Sequence, residues 1–194
     1  MKKHSVSFLV ILAVLLLVCP VYAELSPNFD GQMIRVEWLY PDKNTVYYGA
    51  NASVGSGWEF EDFATTNPQE PTWLDIDINS KEIVIFFTLS NGTKDFWSAN
   101  FNGFSFSDYN GNIDDITEVR INKDTKFPSL DISKITFDAD HIWINLSSLQ
   151  MNDLSDTIIL DVGFKSDPIP EPTTLLLLGL GLVGVAGIRR KLRN

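Results

Sequence analysis

In His141-Ile142-Trp143-Ile144-Asn145-Leu146, every second residue is a large aliphatic and the residues between are polar or aromatic. A period of two belongs to a pleated strand, whose successive side chains point to opposite faces. The segment therefore sets Ile142, Ile144 and Leu146 toward a core and His141, Trp143 and Asn145 away from it. Outward along the chain the pattern recurs at Ile34, Val36, Trp38 and Tyr40, at Leu74, Ile76 and Ile78, and at Ile158, Leu160, Val162 and Phe164. Ile83 to Leu89 is apolar on both faces, as a central strand would be, and Asn79-Ser80-Lys81, Asn91-Gly92, Asn110-Gly111 and Asp138-Ala139-Asp140 supply turns. With weaker segments near 45–49, 52–63, 101–106 and 116–121, about nine or ten short strands result. The expectation is an all-β body, a β-sandwich or jelly roll, with Trp38 in its core. Ser147 to Asp153 is the one segment expected to form a helical turn.

The 194 residues hold 15 Lys and Arg against 25 Asp and Glu. Residues 24–169 carry 9 basic and 24 acidic side chains, a net of −15. A body that acidic repels phosphate backbones and offers no basic stripe, so nucleic acid is excluded as a partner. The remaining bases stand at the two ends. Met1-Lys2-Lys3-His4, the apolar run Val6 to Val18 and Val21-Tyr22-Ala23 read as an export signal cleaved after Ala23. The apolar run falls short of the ~20 residues that span a bilayer, which argues against a retained helix. Val18 and Pro20 around Cys19 argue against a lipid anchor. The cysteine leaves with the signal, so disulfides, thiolate metal sites and a cysteine nucleophile are excluded from the mature body.

From Pro168 the composition changes. Pro170-Glu171-Pro172 is followed by an uncharged segment from Thr173 to Ile188 and then by Arg189, Arg190, Lys191 and Arg193. As a helix, 173–188 would be about 24 Å long, and the basic cluster would hold that end in the cytoplasm as a membrane stop. This tail resembles the PEP-CTERM sorting signal of exosortase substrates, with Pro170, Glu171 and Pro172 as the sorting motif. The resemblance implies an envelope protein of Gram-negative type, processed by a membrane-embedded exosortase at or near the motif, and associated with extracellular polysaccharide or biofilm. The domain organisation expected is a signal peptide at 1–23, an extracytoplasmic body at 24–167 and a sorting signal at 168–194. The protein would be anchored in the membrane by helix 173–188 and then released to the cell surface or medium. Gly179-Leu180-Gly181-Leu182-Val183-Gly184 mimics a dinucleotide fingerprint, but no strand precedes it and no acidic residue follows at the required distance.

Candidate chemistry in the body is sparse. His141 is the only histidine left after signal removal, so a histidine zinc site lacks ligands, and no nucleophile-elbow sequence accompanies it. Asp108, Asn110, Asn112 and Asp114 place oxygen side chains at alternate positions of a glycine-containing loop, a candidate Ca²⁺ site that departs from the EF-hand at Ile113 and Val119. Asp75, Asp77 and Asn79 form a second alternating set. Trp73 and Trp143, each beside polar residues on its strand face, are candidate stacking platforms for a glycan. No other cofactor is implied. The body is expected to be a non-catalytic surface or matrix protein binding polysaccharide. The alternative is a secreted glycan hydrolase using paired carboxylates, and a ligand-free structural component is the third option.

Overall fold

The computed structural model describes residues 27–63, 74–88, 94–151 and 156–165. The chain divides into units Met1–Phe164 and Lys165–Asn194, and the description below concerns the first. The signal segment 1–23, Trp73, and the whole tail with helix 173–188 lie outside the described residues. Among the described residues no helix is long and apolar enough to cross a membrane.

The described residues form eleven strands in order: β1 Met33–Leu39, β2 Val46–Ser53, β3 Leu74–Asn79, β4 Glu82–Phe87, β5 Lys94–Asp95, β6 Gly103–Asp108, β7 Ile116–Ile121, β8 Ile135–Phe137, β9 His141–Asn145, β10 Gln150–Met151 and β11 Thr157–Phe164. A five-stranded sheet runs β2-β1-β6-β9-β8, a four-stranded sheet runs β3-β4-β11-β7, and β10-β5 is a small ribbon. Every pairing is antiparallel. The all-β expectation holds, with two antiparallel sheets.

Alternation decides which side chains are buried. β9 buries Ile142 and Ile144 and leaves His141, Trp143 and Asn145 half-buried on the other face. The same rule buries Ile34 and Val36 of β1, Ile76 and Ile78 of β3, and Ile158 and Leu160 of β11. β4 lies between β3 and β11. Ile83, Ile85 and Phe87 are fully buried there, while Val84 and Phe86 are only half-covered on the opposite face. These inward residues form one cluster drawn from both sheets, joined by ring contacts such as Phe87 with Phe104 at 6.5 Å and Phe87 with Phe127 at 5.3 Å. Burying a side chain of this size contributes about 1.5–3 kcal/mol, which is how a cysteine-free body can hold together.

Three expectations need correction. Of the helical turn expected at Ser147–Asp153, none forms over the described residues 147–151. The Ser147 hydroxyl donates to the Ala99 carbonyl and accepts from its N–H, both at 2.9 Å. The Leu149 N–H donates to the Leu146 carbonyl at 2.9 Å with Ser148 at φ +62°, and the Leu149 carbonyl accepts from Phe96, so the chain makes one tight turn at Ser147-Ser148 and continues into β10. The 3-10 turn is instead Ile132–Lys134, capped by the Asp131 carboxylate, which accepts the Ser133 N–H at 2.7 Å. Residues 52–63 form no strand of their own beyond the end of β2. Phe60 makes one bridge to Ile76, and the Glu59 carboxylate holds the turn through the N–H groups of Gly55 at 2.9 Å and Ile78 at 2.6 Å. Trp38 shares the core-facing side of β1, but a bulge between Trp38 and Leu39 leaves it half-buried. Its indole N–H donates to Asn102 Oδ1 at 3.0 Å.

Candidate functional site

On the outer face of the five-stranded sheet, the registers place Ser105 of β6 and Thr136 of β8 on either side of Trp143, and Ser107 beside His141. Trp143 thus points away from the core, as the alternation requires, but its ring has neighbours. His141 stacks parallel to it, with centroids 5.0 Å apart and planes 7° apart. The Lys43 ammonium lies 4.4 Å from its centroid. A cation over an indole is held by the ring quadrupole. Lys43 also donates to Thr136 Oγ1 at 2.8 Å and stands 5.7 Å from the Phe101 centroid.

Asp138 ties the β8–β9 turn together. Its Oδ1 accepts the N–H groups of Asp140 at 2.9 Å and His141 at 2.8 Å, with His141 Nδ1 at 3.2 Å. Partial burial pushes the Asp138 carboxyl upward, but these hydrogen bonds and the histidine charge outweigh it and hold its pKa below the usual aspartate range.

Beside Trp143 opens a groove of about 220 Å³, lined by Lys43, Phe101 and Thr136 with Lys134, Asn145, Ser133 and Asn100. Asn145 is locked in place. Its Oδ1 accepts from Asn102 at 3.2 Å and Ser147 at 3.0 Å, and its Nδ2 donates to the Asn100 carbonyl at 3.3 Å. These bonds pin the 96–102 loop to the end of β9. In that loop Phe96 turns inward against Phe87 at 6.1 Å, so Trp97 turns outward. It is 71% exposed, the most open of the large apolar side chains among the described residues. Its ring meets Tyr40 edge-on at 6.0 Å. Its carbonyl accepts from the buried Asn102 at 3.1 Å.

Trp97, Tyr40 and Lys43 were not legible as a group in the sequence. The nearest signal was Phe96-Trp97, one ring in and one ring out, and nothing local brings the β1–β2 turn beside it.

The candidate Ca²⁺ loop is built as a capped turn. Asp108 Oδ1 accepts from the N–H groups of Asn110 at 3.1 Å and Gly111 at 3.0 Å, and Oδ2 accepts from Ile113 at 2.8 Å. Gly111 supplies the left-handed residue at φ +68°. Asn110 and Asn112 are exposed, whereas Asp114 is buried. Among the described residues no group of three or more His, Cys, Asp or Glu is arranged to hold a metal ion. In the second set, Asp75 Oδ1 accepts the Asp62 N–H at 2.8 Å and Asn79 donates to Asp77 Oδ2 at 2.9 Å.

Carboxylates gather on the outer face of the four-stranded sheet, where Glu82 stands opposite Asp161. Burial, then the charges of Asp161, Asp77 and Asp124, raise the Glu82 pKa above the usual glutamate value. Asp77 Oδ1 is buried with no hydrogen-bond partner among the described residues.

The sorting residues Pro170, Glu171 and Pro172 and the stop residues Arg189, Arg190, Lys191 and Arg193 lie outside the described residues. Comparison with curated proteins and with solved structures finds no match. One family model does match, the PEP-CTERM protein-sorting motif, over residues 168–191, and the chain therefore carries a signal that implies an exported protein sorted by an exosortase and anchored in the membrane before processing.

Proposed function

We propose that the body is a non-catalytic surface or matrix protein that binds polysaccharide outside the cell after its tail has delivered it. The observation that carries this is the exposed Trp97, edge-on to Tyr40, in the loop whose other end lines the polar groove beside Trp143. A sugar ring packs its C–H face on an open aromatic while its hydroxyls bond neighbouring polar groups. Trp143 holds Lys43 at the groove and is not itself a platform, because His141 and Lys43 already pack on its ring. A volume below the ~300–1,000 Å³ of enclosed small-molecule pockets suits one unit of a chain lying across the surface. An extracellular matrix polysaccharide, as in a biofilm, is such a chain.

Binding to extracellular polysaccharide, measured by affinity electrophoresis, tests this. Trp97→Ala is expected to weaken binding about tenfold, the equivalent of one lost stacking contact. Unchanged binding in the variant would refute the site. The hydrolase reading has one supporting observation, the raised pKa of Glu82 among Asp77, Asp124 and Asp161, as befits a general acid. Release of reducing ends that Glu82→Gln abolishes would establish it instead.

A further inference from the structure

We propose that the saccharide unit taken by this groove is anionic, bearing carboxylate or sulfate groups that Lys43 and Lys134 bind. This rests on the polysaccharide-binding reading above and names its ligand class. Two of the nine basic residues of the acidic body line the same small groove. Among the described residues, Arg35, Arg120 and Lys123 are each within 4 Å of a carboxylate, as is His141, whereas Lys43 and Lys134 are not.

The neighbouring carboxylates are occupied elsewhere. Asp42 Oδ1 accepts the Asn44 N–H at 2.9 Å and the Thr45 hydroxyl at 3.0 Å. Asp131 is engaged by the hydroxyl and N–H of Ser133, which, with a smaller contribution from the Lys134 charge, hold its pKa below the usual range.

The hydrogen-bonding inventory points the same way. Asn145 spends its oxygen on two backbone N–H groups and its amide on the Asn100 carbonyl. Thr136 accepts from Lys43, and the Ser133 hydroxyl is turned to Asp131. An ammonium has three N–H donors and no acceptor. Lys43 spends one on Thr136, and Lys134 spends one on the Ser147 carbonyl at 3.3 Å. Lys43 and Lys134 thus keep two N–H donors each, the charged capacity of a groove whose other lining groups, the Thr136 and Ser133 hydroxyls and the Asn100 and Asn145 amides, are neutral. A neutral sugar, which brings as many donors as acceptors, leaves that capacity half used, whereas a carboxylate or sulfate satisfies it with charge-assisted bonds.

The test compares an oligogalacturonate with a neutral maltooligosaccharide of equal length on the full chain, by calorimetry, in wild type, Lys43→Gln/Lys134→Gln, Lys81→Gln/Lys126→Gln and Trp97→Ala. Near-UV circular dichroism confirms that each variant is folded. The oligogalacturonate is expected to bind more tightly than the neutral sugar. Its binding should weaken as the screening length falls from ~10 Å at 0.1 M salt toward ~3 Å at 1 M. The groove double variant should weaken it about tenfold or more, by loss of two charge-assisted contacts, and the control double variant, with the same change in net charge, should not.

Equal binding of both sugars, unaffected by the groove variant but weakened by Trp97→Ala, overturns the anionic assignment and leaves the polysaccharide reading standing. Equal weakening by the two double variants also overturns it, because net charge would then be the cause. Binding of neither sugar removes both proposals together.

Discussion

Glu82 and Asp161 stand directly opposite each other on neighbouring strands, with Asp77 and Asp124 adding to the negative charge. Like charges in that position oppose folding. Because the folded pKa of Glu82 is raised, the folded state holds a proton that the unfolded state has already lost at intermediate pH. The penalty is absent well below the ordinary glutamate value, where both states are protonated. It grows as pH rises and is complete above the raised value. Glu82→Gln is therefore expected to stabilise the protein at neutral pH by about 0.5 kcal/mol, with the gain fading as pH falls toward 4. Denaturant titrations at several pH values measure it, and equal effects at all pH values would contradict this account. At this scale the sequence was least informative. Twenty-four carboxylates in the body gave no reason to single out Glu82, since its environment comes from strands far apart in the chain. Trp97 was missed for the same reason.

Elements were legible where one face is buried. β9, β3 and β11 follow the pleat because slipping by one residue would turn their buried isoleucines to water. β2 was weaker in the sequence. Val46–Ser53 contains no run of large aliphatics, and its place comes from pairing with β1, which turns the small Ala50 and Ala52 and the ring of Tyr48 to the core. The turn at Ser147 was misread because its serines, typical of a helix start, bond instead to the 96–102 loop. That loop enters β6 at Gly103, whose glycine is demanded by close approach, because an added Cβ would overlap the carbonyl oxygen of Ile144 on β9. Gly103→Ala is expected to cost ~3 kcal/mol or more, since neither backbone can yield inside a paired sheet. Thermal unfolding measures it, and a loss under about 0.5 kcal/mol, the range of ordinary surface substitutions, would show that β6 and β9 lie farther apart than described.

At the scale of the whole molecule, the charge distribution and the family match describe the same design. An acidic all-β body precedes a tail in which the sorting motif, an uncharged segment and a basic end follow in order. The sorting tail was readable in the sequence because such a signal acts through local composition. The groove was not readable, because it is assembled from the β1–β2 turn, the 96–102 loop, the 3-10 turn and the outer face of β8 and β9. The central claim is that the tail is an address acted on by a processing enzyme and that the body is what is delivered. Intact-mass measurement of the chain recovered from the producing cell's envelope and medium, for wild type and for Pro170, Glu171 and Pro172 replaced by alanine, tests it most directly. The expected result is a wild-type product lacking the residues beyond the motif and a variant that keeps them and stays with the membrane. Identical masses for the two, both retaining residues 173–194, would contradict it.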